Sequence, residues 1–336
     1  MRAFSCDVCG ARLFFEKSVC ITCGSAVGFC REDGRMVAVQ APRRICVNLN
    51  VNGCNWLAAP TSVHGYCFSC SLTRTRPADS DASGMANYYV AEFAKRRLVF
   101  ELDQLGLPIQ RHNGTSGLAF DLLSSVQKPV TTGHRHGIIT FDLAESNDVH
   151  REGLRIGMDE PYRTVLGHFR HEIGHYYWDL LVGPSSGSSE SGSSESGTSE
   201  RLAAVRELFG DETASYSAAL SRHYDSGPPP DWRSTFISAY ASMHPWEDFA
   251  EVFAHVLHIR DTLQTAAEFD LGVPSAFDDR PFTEIVRKVW LPLTLGLNQI
   301  NRSMGKGDLY PFVLQAAVIT KLGWVADLIA AGRNVT

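Results

Sequence analysis

The chain has 336 residues, with 31 Lys and Arg against 37 Asp and Glu for a formal net charge of −6, and it is 44% hydrophobic and 20% charged. That balance excludes a mostly disordered chain, a collagen and a coiled coil, and at about 150 residues per domain it accommodates two domains. Met1 to Gly10 lacks the apolar run of a secretory signal, and the apolar stretch Tyr310 to Gly332 is interrupted by Gln315, Lys321 and Asp327, which suits a core helix rather than a membrane span. The expected setting is a reducing cytoplasm, where cysteines serve metal or redox chemistry more than disulfides.

All nine cysteines fall before residue 71, which sets apart an N-terminal module over residues 1–77. Cys6-x2-Cys9 and Cys20-x2-Cys23 form two knuckle pairs, the pattern of a four-thiolate zinc ribbon. Cys46, Cys54, Cys67 and Cys70 supply a second set with a less regular first half, in which His64 is an alternative ligand. Cys30 is left as a free thiol. Four-cysteine sites have no open position for catalysis, and a segment this short needs a staple, so structural zinc is the expected role. The module carries nine Lys and Arg against four Asp and Glu, an apparent +5. Two zinc–tetrathiolate sites contribute about −2 each, which leaves the loaded module near +1 and argues against nucleic acid as its partner. Docking of a protein remains open for it.

Residues 78–336 form the second expected domain. The spacing predicts a helix from Asn87 to Leu105, with Tyr89, Val90, Phe93 and Phe100 on its buried face and Lys95 turned away. His136 to Leu143 reads as a strand, with an edge available to extended substrate backbone. Asp159-Glu160-Pro161 opens a helix that runs to Leu181. Gly183 to Glu200 contains nine Ser and a twice-repeated Gly-Ser-Ser-Glu-Ser pentad, the signature of an inserted flexible linker. Helices are expected over Arg201–Phe209, Ala214–His223, Trp232–Ser242, Pro245–Arg260, Phe282–Leu291 and Tyr310–Ala331. The fold class is α+β: a β-rich zinc-ribbon module followed by a mostly helical, zincin-like domain.

His171-Glu172-Ile173-Gly174-His175 is the central motif. Residues i and i+4 share a helix face, so both imidazoles can ligate one zinc, with Glu172 beside them as general base toward water. The surrounding helix is strongly apolar, and burying two His and a Glu there without a purpose is costly. Catalytic zinc needs a third protein ligand and one open position. His244-Pro245-Trp246-Glu247-Asp248-Phe249-Ala250-Glu251 supplies the candidates. Glu251 lies in the apolar interior of its helix and is favoured; Glu247, nearer the helix start, is the alternative, and Asp248 is expected to brace His171 or His175. Tyr240 or His244 can donate to a developing oxyanion. His168 is expected to pack or hydrogen-bond rather than ligate, and His255 can stand behind the ligands.

The pattern resembles a bacterial family of zinc-binding metallopeptidases with an N-terminal zinc ribbon. The likeness is carried by Cys6-x2-Cys9-Gly10, Leu13-Phe14-Phe15, Cys20-x2-Cys23-Gly24 and Cys67-x2-Cys70-x-Leu72-Thr73-Arg74-Thr75. It is carried also by Glu160-Pro161-Tyr162-Arg163-Thr164 through Gly167 to Trp178, and by His244 to Glu251. It covers nearly the whole chain except Gly183 to Glu200. The resemblance implies a gluzincin-like peptidase that acts on peptides or proteins, with His171, His175 and a downstream Glu on one catalytic Zn²⁺ and two further structural Zn²⁺. The competing readings are an inactive zinc-ribbon adaptor and a zinc hydrolase of non-peptide amides.

Overall fold

The computed structural model describes residues 1–126, 128–147, 164–183, 195–275 and 279–333. It is α+β, strand-rich at the N-terminus and mostly helical afterwards. The chain divides into two compact units. One comprises Met1–Glu101, Ile109–Arg151 and Asp261–Ser275; the other comprises Leu102–Pro108, Glu152–Arg260 and Ala276–Thr336.

In the first unit, β1 (Phe4–Ser5) pairs antiparallel with β2 (Arg12–Leu13), and β3 (Val27–Cys30) pairs antiparallel with β4 (Arg35–Ala38). These ribbons are too small to bury a core of their own, and an aromatic cluster substitutes for one. Phe15 meets Phe29 at 5.1 Å and Phe100 at 4.8 Å, and Phe29 meets Trp56 at 4.8 Å between ring centres. Two short helical turns, α1 (Leu49–Asn52) and α2 (Phe68–Ser71), precede β5 (Thr73–Thr75). That strand opens a four-stranded sheet with β6 (Ala119–Leu123), β7 (Gly133–Arg135) and β8 (Ile138–Asp142) in the order β5-β6-β8-β7. Along β8 buried Ile139 and Phe141 alternate with half-buried residues, the pattern of a sheet face covered on one side, whereas Ala119 to Leu122 of the central β6 are buried on both faces. Gly137 has φ +75, and a Cβ there would lie 1.9 Å from the Gly117 carbonyl oxygen, so only glycine fits the turn into β8.

Two expectations are corrected in this unit. The strand over 136–143 exists as β8, but it is paired on both sides, parallel to β6 and antiparallel to β7, and so offers no free edge. The helix α3 (Ala82–Gln104) exists too, yet much of its buried face is the opposite of the one expected. Tyr89, Val90 and Phe93 are 49%, 42% and 39% exposed, whereas Lys95 and Glu92 are fully buried and Arg96 nearly so; only Phe100 is buried as expected. The inward polar face is satisfied. Lys95 Nζ donates to Glu92 Oε1 at 2.5 Å and to Thr73 Oγ1, and Arg96 donates to the Asn52 carbonyl at 3.2 Å. Asn52 lies beside Cys70, so the helix turns its charges toward the second cysteine set.

The second unit is built around two long helices, α4 (Val165–Leu181) and, further along the chain, α7 (Pro245–Glu268), of which residues 245–260 belong to this unit. Thr164 caps α4, its hydroxyl accepting from Gly167 N at 2.9 Å; the expected opening at 159–161 lies outside the described residues. A Cβ on Gly174 would lie 2.9 Å from Ala250 Cα, so these two small residues let the helices cross at close range. Trp178 against Phe249 and Tyr177 against Phe253 fix the crossing on either side of that point. The helix α5 (Glu195–Phe209) begins inside the Ser/Gly/Glu run expected to be a linker, and residues 184–194 of that run lie outside the described residues. Next comes α6 (Tyr216–Ser226).

The helix expected over Trp232–Ser242 is instead two three-residue turns, Trp232–Ser234 and Tyr240–Ser242. Ser238 Oγ accepts from Ala241 N at 3.0 Å, a local bond that competes with helix propagation. The helical run from Phe282 is longer than expected, passing from α8 (Phe282–Ile285) through a wider turn over Val286–Trp290 into α9 (Leu291–Ser303). The last helix, α10 (Ala316–Gly332), starts six residues after Tyr310. Pro311 disfavours helix at the residue before it, and Asn298 binds both the N–H and the carbonyl of Tyr310 at 2.9 Å. Lys321 of α10 is buried, donating to Asp248 Oδ2 at 2.6 Å and to the Thr235 carbonyl at 3.0 Å. Among the described residues, no helix is long and apolar enough to cross a membrane.

Candidate metal centre

The eight expected cysteines gather into two sets of four, Cys6, Cys9, Cys20, Cys23 and Cys46, Cys54, Cys67, Cys70. A zinc ion with thiolates at about 2.3 Å sets its sulfurs about 3.8 Å apart in a tetrahedron. The observed separations are 3.8 Å for Cys6–Cys23, 3.7 Å for Cys9–Cys20 and 3.5 Å for Cys54–Cys67, so both sets fit zinc. Backbone N–H groups support the second set: Cys67 N donates to Cys46 Sγ and Cys70 N to Cys67 Sγ, each at 3.3 Å. His64 is exposed and belongs to neither set. Cys30 lies outside both, its thiol against Glu32 at 3.3 Å and pushed up in pKa by burial.

The two sets differ in access. Cys9 and Cys23 are exposed, whereas all four members of the second set are buried. A chelator is therefore expected to strip the first set before the second, which zinc release followed by a chromophoric chelator will read. Simultaneous release, or release of the second set first, would contradict the difference in access.

The crossing of α4 and α7 creates the third cluster. His171 Nε2 lies 3.1 Å from His175 Nε2 and 2.9 Å from Glu247 Oε2, and His175 Nε2 lies 3.4 Å from the same oxygen. A tetrahedral zinc about 2.0–2.2 Å from N and O ligands sets them about 3.3–3.5 Å apart. These three residues form one set of potential ligands, all buried. Glu251 is not one of them. Its Oε1 accepts from His171 Nδ1 at 2.8 Å, on the far side of the ring, and its Oε2 accepts from Ser238 Oγ at 2.8 Å. Of the two candidates, it is Glu247, the alternative, that faces both Nε2 atoms, while Glu251 stands at His171 Nδ1, on the bracing side that the sequence assigns to Asp248. Glu247 and Glu251 share a face one helical turn apart, and the Gly174–Ala250 crossing brings the earlier residue to the Nε2 atoms.

Asp248 does not brace a histidine; it pairs with Lys321, while burial still pushes its carboxyl up to about 7. His255 shares a 2.7 Å hydrogen bond between Nδ1 and the Tyr310 hydroxyl, and burial lowers it to about 4, so it is a neutral packing residue away from the ligand pair. His244 is committed as well. Its Nδ1 accepts from Trp246 N at 3.1 Å and its Nε2 donates to the Ala214 carbonyl at 3.0 Å, which leaves no ring N–H for an oxyanion. Tyr240 stays in play: its ring lies 6.0 Å from that of His171, and burial together with Glu247 raises its pKa, keeping the hydroxyl protonated.

Glu172 has one oxygen held and one open. Oε1 pairs with His168 Nε2 at 3.3 Å, the bond expected of His168, whereas buried Oε2 has no hydrogen-bond partner among the described residues. Burial pushes this carboxyl up, but His168 and the neighbouring imidazoles outweigh it and leave it lowered and ionised. Around His171 burial opposes the charged form, yet Glu247 and Glu251 together drive the imidazole well upward. Buried Glu247 and half-buried Glu251 on one imidazole concentrate negative charge at this point, which a divalent cation would offset. Sequence reasoning missed Tyr216, Ser238 and Trp246. Tyr216 donates to Glu247 Oε1 at 2.8 Å, and Trp246 stacks on His175 at 3.6 Å. Only their nearness to the motif helices after folding marks them.

Two sets of four cysteines and a His–His–Glu cluster on crossing helices are donor sets that suit zinc. The chain belongs to the family described as "Putative zinc-binding metallo-peptidase", which matches residues 84–328, and a zinc-ribbon domain matches residues 3–81. It is 51% identical over 341 residues to uncharacterized proteins from Mycobacterium tuberculosis and Mycobacterium bovis, covering 98% of this chain and 95% of each relative. No solved structure matches it.

Proposed function

We propose that the chain is a zinc-dependent peptidase of gluzincin type, with His171, His175 and Glu247 as the ligands and Glu172 as the general base. The observation that carries the reading is the convergence of two Nε2 atoms and one carboxylate oxygen within 2.9–3.4 Å of one another, beside a buried carboxylate with an open oxygen. Zinc held there supplies Lewis acidity and makes water a nucleophile near neutral pH. Glu172 Oε2 accepts the proton of the attacking water and returns it to the leaving amine. Glu251 accepts from His171 Nδ1, which fixes the tautomer that leaves Nε2 free to ligate; Ser238 holds Glu251 in turn. The protonated Tyr240 hydroxyl is the candidate donor to the oxyanion. The cysteine sets serve as scaffold, and the ribbon surface is available to dock a protein.

Digestion of a peptide library tests the activity: cleavage is expected with zinc-loaded protein, lost on mild chelation and restored by zinc. Zinc bound without any cleavage would favour an adaptor role instead. The ligand assignment has its own test. Glu247→Gln is expected to abolish tight binding of the zinc held by His171 and His175. Glu251→Gln is expected to retain that ion with about 10–100-fold weaker affinity, as loss of a bracing carboxylate does. The reverse order in chelator competition would return the ligand role to Glu251.

A further inference from the structure

Tyr216 opens α6, behind Ser215, whose side chain caps the helix by accepting from Ala218 N at 3.3 Å. The same turn is tied to the start of α7 twice. His244 Nε2 donates to the Ala214 carbonyl at 3.0 Å, and the Tyr216 hydroxyl donates to Glu247 Oε1 at 2.8 Å. Glu247 therefore has one oxygen held by a phenol and the other, Oε2, facing both imidazoles.

We infer that Tyr216 is a positioning residue for the metal centre, holding Glu247 Oε1 so that only Oε2 is presented beside His171 and His175. The inference rests on the reading of Glu247 as the third ligand. A carboxylate is a symmetric ligand with a soft terminal torsion, and unless one oxygen is engaged it can rotate or turn both oxygens toward a cation. Engaging Oε1 removes that freedom before the metal arrives. The tie at Ala214 fixes where the phenol stands, so the approach of α6 to α7 sets the ligand geometry.

Ring and hydroxyl have separable tasks. The Tyr216 ring packs 5.5 Å from His244 and 5.9 Å from Trp246, and Trp246 in turn stacks on His175. Tyr216→Phe keeps that packing and deletes the donor, and at a residue 36% exposed it leaves the fold intact. The dissociation constant of the zinc at His171 and His175 is expected to rise about 10–100-fold in Tyr216→Phe, with the melting transition in excess zinc unchanged. Tyr216→Leu, which removes the ring too, is expected to lose at least as much affinity. Wild-type affinity in the Phe variant, with loss only in the Leu variant, would reduce Tyr216 to packing and overturn the inference. A Glu247→Gln background separates the two readings. If Glu247→Gln weakens zinc and Tyr216→Phe then adds nothing, the hydroxyl acts through Glu247. A full additive loss in that background overturns the inference while leaving the ligand reading intact, and wild-type zinc affinity in Glu247→Gln alone removes the ligand reading itself.

Discussion

Glu172→Gln is expected to leave the zinc content unchanged and to lower peptide hydrolysis by about 10²–10⁴-fold, the range a positioned general base contributes. The side chain lies one residue from His171 but points its Oε2 away from any partner among the described residues. The Gln carbonyl still accepts from His168 in place of Oε1, so the rotamer is held. The amide NH₂ has no basic lone pair with which to take a proton from water. The proposed ligands, His171, His175 and Glu247, are not touched by the substitution. Kinetics on a cleaved library peptide, paired with metal analysis of the same preparation, checks both halves. Hydrolysis within a few-fold of wild type at full zinc occupancy would remove Glu172 from the mechanism. Loss of zinc together with activity would point to a structural role instead.

Two different physical signals decided what was legible in the sequence. Thiolate sets and His171 with His175 were legible because a metal fixes ligand spacing locally, through knuckle turns or one helical repeat. Which carboxylate faces the two Nε2 atoms depends on a contact between helices distant in sequence. The apolar interior of α7 points to Glu251, and Glu251 does meet His171, but at Nδ1; an apolar setting alone does not say which ring atom a carboxylate meets. The Gly174–Ala250 approach sets the register of the two helices, and it placed Glu247 at Nε2 and Glu251 at Nδ1 of the same ring. Asp248 was misread for the same reason, because its partner Lys321 lies 73 residues away on a helix whose lysine looked like an interruption.

The reversed face of α3 follows a second logic. Apolar periodicity identifies a core face only where the core is apolar. Here Thr73, Asn52 and a thiolate set lie beneath the helix, and the buried Glu92, Lys95 and Arg96 are matched to them one by one. Nothing local in residues 87–105 announces that environment. The cysteines at 46–70 did announce a metal, and a buried dianionic zinc–thiolate centre calls for compensating charge nearby. Joining those two facts would have turned the helix over.

That dependence sets up the second large effect. Cys67→Ser is expected to abolish cooperative folding of the ribbon-bearing unit, whereas Cys9→Ser is expected to cost far less. Cys67 is fully buried, caps α2 by accepting from Cys70 N, and lies 3.5 Å from Cys54. A structural zinc site contributes about 10–16 kcal/mol of binding free energy at pH 7, as much as the whole stability of a typical domain at about 5–15 kcal/mol. Losing the ion also strands the groups arranged around it. Asn52 faces Cys70 across 3.8 Å, and Lys95, Glu92 and Arg96 remain buried beside a centre that no longer carries the balancing charge. Lys95 and Glu92 still pair with each other, but the Arg96 guanidinium, bonded to neutral Asn52, is left buried beside a centre stripped of its negative charge, which opposes refolding of α3 onto that surface. Cys9 is exposed, as is Cys23 of its own set, so water reaches two of the four thiols freed there, although Cys6 and Cys20 are buried. Thermal melting by circular dichroism, limited proteolysis over residues 1–101 and zinc content per chain read the two variants side by side. A Cys67→Ser protein that loses one zinc and still melts cooperatively near the wild-type temperature would show that the polar face of α3 is self-sufficient without the metal.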